Sequence, residues 1–209
     1  MKKRLIFDVD DTLMPWKKSY YIKLKKLLNQ NNIKLSWIKF YKTLMAIENY
    51  EKTHDCWNMD EFKESITEIT KIKMDDDKIK IFFKWLEECV DGLASDDLCN
   101  TLKYLSEKYE LVILSNSFKI SQEKRLEKYG IKKYFKEIYC GDEVMKPSKK
   151  SYFKACGKYK PTECMMIGDN LNFDVIEPSK LGIKPIYVNN KKHKEYLTIR
   201  DVCELKEIL

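Results

Sequence analysis

Apolar residues recur every three to four positions between residues 17 and about 92, as they do along the buried face of a helix. This spacing predicts four amphipathic helices, and their aromatic residues are expected in a helical core. The apolar positions are Tyr20, Leu24, Leu27 and Leu28, then Trp37, Phe40, Tyr41 and Leu44, then Phe62, Ile66 and Ile69, then Ile79, Phe82, Phe83 and Leu86. Asp60 and the run 75–77 stand where helix N-caps and first-turn acids belong.

Outside that stretch, short apolar runs alternate with helical patterns. Strands are predicted at five places, namely 3–7, 111–114, 137–140, 164–167 and 185–188. Helices are predicted between and after them, at 96–108, 121–129, 148–159, before Gly182 and from Asp201. Such alternation indicates an α/β fold with a parallel sheet covered by helices on both faces. We therefore predict a three-layer core of residues 1–16 and 93–209 with a five-stranded parallel sheet, and an inserted α-helical bundle of residues 17–92.

The composition is that of a globular protein with a substantial core. Of the 209 residues, 44% are hydrophobic and 35% are charged, with only 6 Gly and 5 Pro, which excludes disordered and low-complexity classes. No apolar run approaches the roughly 18 residues of a membrane span, and the basic start is followed by three apolar residues and then acids, unlike a secretory signal. We expect a cytoplasmic protein without a membrane partner.

The net charge of +7 does not by itself indicate a nucleic-acid-binding protein. Only three of the 40 basic residues are arginines, and the lysines are spread along helix faces, so no nucleic-acid partner is expected. The positive field could still speed the arrival of small anions. The seven cysteines are odd in number and lack a C-x-x-C pair, which predicts reduced, mainly buried thiols, and with two histidines a zinc cluster is not expected.

Polar residues cluster directly after three of the predicted strands. Asp8 and Asp10 follow the first, the run 115–117 (Ser-Asn-Ser) follows the second, and the run 168–174 follows the fourth. Lys146 precedes a proline at the start of a helix. Because ligands of open parallel sheets bind at the carboxyl ends of the strands, these groups are expected on one rim.

Four carboxylates would meet at that rim, those of Asp8, Asp10, Asp169 and Asp174. They would repel one another and raise each other's pKa values unless a cation neutralised them. A hard divalent ion that takes oxygen ligands would do so, and we expect Mg²⁺.

Together these pieces resemble the four signature motifs of the haloacid dehalogenase-like (HAD) hydrolase superfamily, whose phosphatases carry D-x-D-x-T, a Ser or Thr after the second strand, a Lys, and G-D-x-x-x-x-D. All four occur here in the right order. The resemblance implies a Rossmann-like core and makes the helical insert a C1-type cap between the first and second motifs, with hinges at 14–17 and 91–95. One departure is the Glu-Pro-Ser run at 177–179, where many relatives have small residues.

The resemblance also implies roles for the core motifs. Asp8 would be the nucleophile that forms an aspartyl-phosphate, and Asp10 would protonate the leaving alcohol and later deprotonate water. Ser115 and the backbone N–H of Asn116 would hold the phosphoryl oxygens, while Lys146 would compensate their charge.

The metal site follows from the same resemblance. Asp8, the backbone carbonyl of Asp10, and Asp169 would ligate Mg²⁺. Asp174 would orient its waters or ligate it directly. Asn170 and Asn172 are expected to be loop formers.

Three residues near the predicted cap are candidates for specificity. Trp16 lies beside the first motif, and His54 and Trp57 lie in an aromatic and polar loop between two cap helices. They would either contact the substrate or pack between cap and core.

The predicted activity is Mg²⁺-dependent phosphomonoester hydrolysis of a small phosphorylated metabolite such as a sugar phosphate, phosphoglycolate or a nucleoside monophosphate. A sugar phosphomutase of the same superfamily keeps all four motifs and remains an alternative. A non-catalytic phosphate-ligand or nucleic-acid binding protein is a second alternative. The dehalogenases of the superfamily need neither the second Asp of the first motif nor metal-binding carboxylates. The presence of Asp10, Asp169 and Asp174 therefore argues against dehalogenase chemistry. The substrate and the oligomeric state stay open.

Overall fold

A computed structural model describes residues 3–209, in which six strands form one parallel sheet. The strands are β1 (Arg4–Phe7), β2 (Glu110–Leu114), β3 (Glu137–Tyr139), β4 (Cys164–Gly168), β5 (Lys184–Val188) and β6 (Thr198–Ile199). Their order is β3-β2-β1-β4-β5-β6, so the direction of winding reverses between β1 and β4. A ligand site is expected in the crevice at that reversal.

The prediction of five strands is wrong by one edge strand. The backbone N–H groups of Tyr187 and Asn189 donate to the carbonyls of Leu197 and Ile199, each over 2.8 Å, and this adds β6 beside β5. A strand of two residues is too short to show the alternation by which strands are predicted.

Nine α-helices lie in the described part of the chain. Four form the insert between β1 and the next core helix, as predicted: α1 (Lys18–Gln30), α2 (Trp37–Thr53), α3 (Met59–Thr70) and α4 (Asp76–Glu87). The other five are α5 (Asp96–Lys108), α6 (Lys119–Tyr129), α7 (Lys149–Cys156), α8 (Glu177–Lys180) and α9 (Leu205–Ile208). Within residues 3–209, every helix is too short or too polar to cross a membrane.

Acidic residues begin two of the insert helices, α3 and α4, as predicted. The Asp75 side chain accepts a hydrogen bond from the backbone N–H of Lys78, and Asp60 lies in the first turn of α3 after the N-cap Asn58. Negative charge there complements the positive end of each helix dipole. Asp75 is thus the N-cap of α4, and Asp60 is a first-turn acid of α3.

The insert helices share a hydrophobic cluster that also includes Phe118 and Met145 from outside the insert, and two predicted core aromatics lie outside this cluster. Phe40 and Tyr50 of α2 are buried with Phe62, whereas Trp37 and Tyr41 are exposed. Trp37 and Tyr41 each lie next to the buried stripe rather than on it, so burying Phe40 turns them towards solvent.

Strand β1 is buried on both faces of the sheet. Leu5 and Phe7 belong to the cluster that packs under α5, and Ile6 belongs to the cluster that packs under α7. A strand with no exposed face explains its continuous apolar run. The first polar residue, Asp8, therefore emerges at the carboxyl end of the most buried strand.

Candidate active site

The chain makes a tight turn directly after β1. The carbonyl of Val9 accepts hydrogen bonds from the backbone N–H groups of Leu13 and Met14, both over 2.9 Å. Asp11 adopts a left-handed conformation with φ 55°, which an aspartate tolerates better than most residues because its short side chain can bond locally. Asp8 directly precedes this turn, and its backbone N–H donates to the carbonyl of Ile167 over 2.9 Å, which holds it at the rim of the sheet.

Lys146 lies between two of the predicted site carboxylates. Its Nζ is 2.7 Å from Oδ1 of Asp8 and 2.7 Å from Oδ1 of Asp174, and the residue is only 3% exposed. Burial lowers the pKa of this ammonium group, but the charges of Asp174 and Asp8 outweigh burial and raise it. Lys146 is therefore a permanent positive charge at the site.

Three carboxylates, those of Asp8, Asp169 and Asp174, each bring an oxygen within 4.8 Å of the other two. Burial raises the pKa of Asp8 well above its ordinary value, against the opposing effect of Lys146. Burial and the charge of Asp174 likewise raise the pKa of Asp169 to about 6. Thr12 contacts Asp169 through its hydroxyl over 3.4 Å. An all-oxygen donor set with excess negative charge fits a hard cation such as Mg²⁺.

The Asp174 carboxylate is placed by an irregular element. Sequence periodicity predicts an α-helix before Gly182, whereas the chain forms a π-helical turn, 171–176, followed by the short α8. The backbone N–H of Asn170 donates to Oδ2 of Asp174 over 3.0 Å. Gly168 leaves room for this carboxylate, since a Cβ there would lie 2.3 Å from its Cγ. Such turns are frequent at functional sites.

The loop after β2 locks the lysine in place. The Asn116 side chain accepts from the backbone N–H of Lys146 over 2.7 Å and donates to the carbonyl of Lys146 over 2.9 Å. Ser115 is buried beside it and accepts a hydrogen bond from Nε2 of Gln122 over 3.3 Å. The predicted phosphate-binding residues Ser115, Asn116 and Lys146 are thus brought together.

The side chain of Asp10 lies outside the cluster formed by the carboxylates of Asp8, Asp169 and Asp174. Its carboxylate pairs with Arg125, at 2.5 Å and 3.2 Å from the two terminal guanidinium nitrogens. The prediction that four carboxylates meet at the rim is therefore wrong for Asp10, because Arg125 binds its carboxylate away from the other three. That the backbone carbonyl of Asp10 ligates a metal stays a prediction. Its side chain is 33% exposed.

The insert contacts the rim through its 54–58 loop. The Trp57 indole N–H donates to the carbonyl of Asn116 over 2.7 Å, and its backbone N–H donates to the carbonyl of Gly141 over 2.8 Å. The backbone N–H of Met145 donates to the carbonyl of Asp55 over 2.6 Å. Trp57 is only 8% exposed, so in this structure it packs between insert and core.

The other two specificity candidates have different surroundings. Trp16 packs edge-on against Tyr20 and Trp85, with ring centroids 5.3 Å and 5.7 Å away, and its indole N–H is buried without a hydrogen-bond partner among the described residues. His54 is partly exposed and stacks on Tyr50 with a centroid distance of 3.7 Å. Contact of any of the three with a substrate stays a prediction.

Sequence reasoning missed three polar residues near the rim, Gln122 and Arg125 of α6 and Glu51 of α2. Glu51 is partly buried, and this raises its pKa to about 7 against the opposing charge of Lys146. Nothing in the spacing of α2 singles out Glu51. The scarcity of arginine in a lysine-rich chain was a usable signal for Arg125, because arginine is favoured for buried bidentate ion pairs.

Comparison with known proteins agrees with this geometry. A family model of haloacid dehalogenase-like hydrolases matches residues 2–182. The chain belongs to the haloacid dehalogenase-like hydrolases. This confirms the resemblance drawn from the four motifs.

Relatives of this hydrolase include two phosphatases. Glyceraldehyde 3-phosphate phosphatase of Methanothermobacter thermautotrophicus is 25% identical over 232 residues, which cover 100% of both chains. N-acylneuraminate-9-phosphatase of Mus musculus is 25% identical over 193 residues, covering 89% of this chain and 75% of that protein. The crystal structure of the HAD-hydrolase YfnB from Bacillus subtilis bound to magnesium superposes with a TM-score of 0.75 at 23% identity, covering 100% of this chain and 98% of that one. The α/β fold with its parallel sheet is confirmed.

Proposed function

We propose that this hydrolase is a Mg²⁺-dependent phosphomonoesterase that acts on a small phosphorylated metabolite, such as a sugar phosphate, phosphoglycolate or a nucleoside monophosphate. The observation that carries the proposal is the Asp8 carboxylate at the end of the central strand, held by Lys146 beside the carboxylates of Asp169 and Asp174. Its relatives named as phosphatases support it.

Asp8 acts as the nucleophile. One carboxylate oxygen attacks phosphorus, the bond from phosphorus to the ester oxygen breaks, and an aspartyl-phosphate forms. Asp10 gives a proton to the departing alcohol and then takes one from the water that hydrolyses the aspartyl-phosphate. Such general acid and base catalysis is typically worth about 10²- to 10⁴-fold in rate.

Ser115, Asn116 and Lys146 hold the phosphoryl oxygens. The Lys146 ammonium contacts Asp8, and together with the Ser115 hydroxyl and the Asn116 backbone N–H it stabilises charge on the transferring group. Because the Asn116 side chain fixes the backbone of Lys146, the ammonium needs no reorganisation during the reaction.

The residues present fit a bound Mg²⁺. Asp8, Asp169, Asp174 and the backbone carbonyl of Asp10 would hold it. When bound, the ion would neutralise the negative charge shared by the nucleophile and the phosphate.

Helices α1–α4 serve as a mobile cap over this rim, comprising residues 17–92 with hinges at 14–17 and 91–95. Asp8, Ser115 and Lys146 are buried in this structure, so a substrate reaches them only when the cap moves. Opening breaks the hydrogen bonds from Trp57 to the loops after β2 and β3. Closure excludes water while the aspartyl-phosphate forms.

The test is phosphate release from a panel of phosphate esters, including p-nitrophenyl phosphate, with Mg²⁺ present. We expect turnover by the native protein and its loss in Asp8→Asn, because an amide does not attack phosphorus. Asp11→Asn is the matched control on the same turn. Its amide oxygen can still accept the hydrogen bond that Asp11 takes from the backbone N–H of Trp16, so turnover should persist.

Beryllofluoride, a mimic of the phosphoryl group, should bind the native protein at Asp8 and not the Asp8→Asn variant. Appreciable turnover by Asp8→Asn, or labelling of a different residue by substrate phosphate, contradicts the assignment.

A further inference from the structure

Arg125 is a fully buried arginine in the described part of the core, with 0% exposure. Its two terminal nitrogens donate to the two oxygens of Asp10, over 2.5 Å and 3.2 Å. Its Nε donates to the carbonyl of Cys89 over 3.0 Å, and Nη1 also donates to Oε1 of Gln122 over 2.8 Å. The Arg125 guanidinium thus binds one carboxylate, that of Asp10. Its bonds to the Cys89 carbonyl and the Gln122 side chain fix the position of the guanidinium itself.

Gln122 continues this network to the other side of the site. Its Nε2 donates to the hydroxyl of Ser115 over 3.3 Å, while its Oε1 accepts from Arg125. Both α6 side chains are completely buried. One helix therefore connects the proposed phosphate ligand Ser115 with the proposed general acid and base Asp10.

The same guanidinium touches both segments that join the insert to the core. Cys89 lies just after α4, on the return segment. Trp16 lies on the outgoing segment, and its ring covers the guanidinium with Cζ 5.4 Å from the ring centroid. A buried charge held by one carboxylate is costly to keep unless its geometry is fixed, and here four partners fix it.

We propose that Arg125, held by Gln122, is the positioning residue for the Asp10 carboxylate and links its orientation to the two segments that join cap and core. The inference rests on the proposed function, because it assigns a partner to the group that would move the proton. Arginine stays charged throughout the cycle and its planar fork sets the direction of both carboxylate oxygens.

The leaving group of the substrate separates this role from a merely structural one. Protonation by Asp10 matters for an alkyl phosphate, whose alcohol leaves poorly, and much less for p-nitrophenyl phosphate, whose phenolate leaves well. The value of kcat/KM reports only steps up to departure of the leaving group. Misplacing Asp10 should therefore lower the alkyl-to-aryl ratio of kcat/KM.

The experiment measures kcat/KM of the full-length protein for p-nitrophenyl phosphate and for the best alkyl phosphate of the panel. Arg125→Lys and Gln122→Leu should each lower the alkyl-to-aryl ratio, Arg125→Lys by about 10- to 100-fold and Gln122→Leu by less. In an Asp10→Asn background the ratio should not fall further when Arg125→Lys is added. Gln122→Leu removes no charge, so it keeps the test available if Arg125→Lys folds poorly.

Arg4→Lys is the matched control. Arg4 is also a buried arginine, paired with Glu110 and Glu137 far from Asp10, and its substitution should lower stability without changing the ratio. An unchanged ratio in both α6 variants, with the native protein active, overturns the positioning role alone. Absence of phosphate release by the native protein from every ester overturns the proposed function and this inference with it.

Discussion

At the scale of single residues, unbalanced charge is the main feature of the site. Lys146 brings one positive charge to a cluster of three carboxylates, those of Asp8, Asp169 and Asp174. When all three are ionised, two negative charges are left without a partner in a buried place. Such charges are costly unless they are paired or bind a metal. A divalent cation supplies the missing charge, which is the electrostatic case for Mg²⁺ at this rim.

Glu51→Gln should stabilise the protein above about pH 7. Burial raises the pKa of Glu51 from its ordinary 4.5 to about 7, so the native state holds a proton that the unfolded chain releases. The stability from this proton is fully present below about pH 4.5 and is lost as the pH rises through 7. Glutamine has no charge to bury. The melting temperatures of variant and native protein, measured by circular dichroism, should agree near pH 5 and diverge by pH 8.

Glu48→Gln is the control for that comparison. Glu48 lies on the same helix, is half-exposed, and pairs with Lys52 over 2.6 Å. Its melting temperature should follow the native protein at every pH. If the melting temperature of Glu51→Gln also matched that of the native protein at every pH, burial of the Glu51 carboxyl at the rim would be contradicted.

How far single residues were predictable depends on the element that carries them. The cluster of Asp8, Asp169 and Asp174 was predictable because these residues follow two neighbouring strands, and the carboxyl ends of parallel strands share one rim. The pairing of Asp10 with Arg125 was not. Arg125, Gln122 and Glu51 come from helices. A helix in a lysine-rich chain carries polar residues on most of its surface, and only packing decides which of them turn inwards.

At the scale of elements, the register of the strands places the polar loops that follow β1, β2 and β4 side by side. Phe7 of β1 pairs with Ile113 of β2 and Ile167 of β4, so the loops after all three strands start side by side. These strands were predictable as buried apolar runs. The π-helical turn was not, because its six residues are too few to show a period in the sequence.

Gly168→Ala should impair catalysis more than stability. Its Cβ would lie 2.3 Å from Cγ and Oδ2 of Asp174, so that carboxylate must move away from Lys146. Misplacement of this kind costs about 10²-fold in kcat. Gly182→Ala is the control, since Gly182 has φ 85° with ordinary contacts around its Cβ position. It should lower the melting temperature through backbone strain and leave kcat near the native value. Native kcat in Gly168→Ala would contradict the placement of Asp174.

Trp57→Phe should lower stability without changing substrate selectivity. Phenylalanine keeps a ring beside Tyr50, whose centroid is 4.8 Å from that of Trp57, but it cannot donate to the carbonyl of Asn116. Loss of one such hydrogen bond costs about 0.5–1.5 kcal/mol. The relative kcat/KM values across the ester panel should stay parallel to the native ones. A change in their order would instead show that the indole contacts the substrate.

At the scale of the whole molecule, charge is divided between surface and site. The chain carries a net charge of +7, while the catalytic rim gathers carboxylates. A positive exterior favours the approach of phosphate esters, and an acidic interior favours a metal. The family was predictable because its four motifs lie in the core part of the sequence. The substrate was not, because on the proposed function its selection depends on the shape of the α1–α4 insert over the rim.

Mg²⁺ should raise the melting temperature more at pH 7.5 than at pH 5. Burial raises the pKa of Asp8 and brings that of Asp169 to about 6, so without metal the native state gains stability as these groups become protonated and loses it as the pH rises through 6. The ionised carboxylates that destabilise the metal-free protein are the ones that bind the ion. Bound Mg²⁺ then stabilises the native state by RT ln(1 + [Mg²⁺]/Kd), about 2.7 kcal/mol at a hundredfold excess over Kd.

Calorimetry at both pH values checks this prediction for Mg²⁺, with KCl at equal ionic strength as the control. Asp169→Asn should reduce the gain at pH 7.5, and an equal gain with KCl would exclude a specific metal site at these carboxylates.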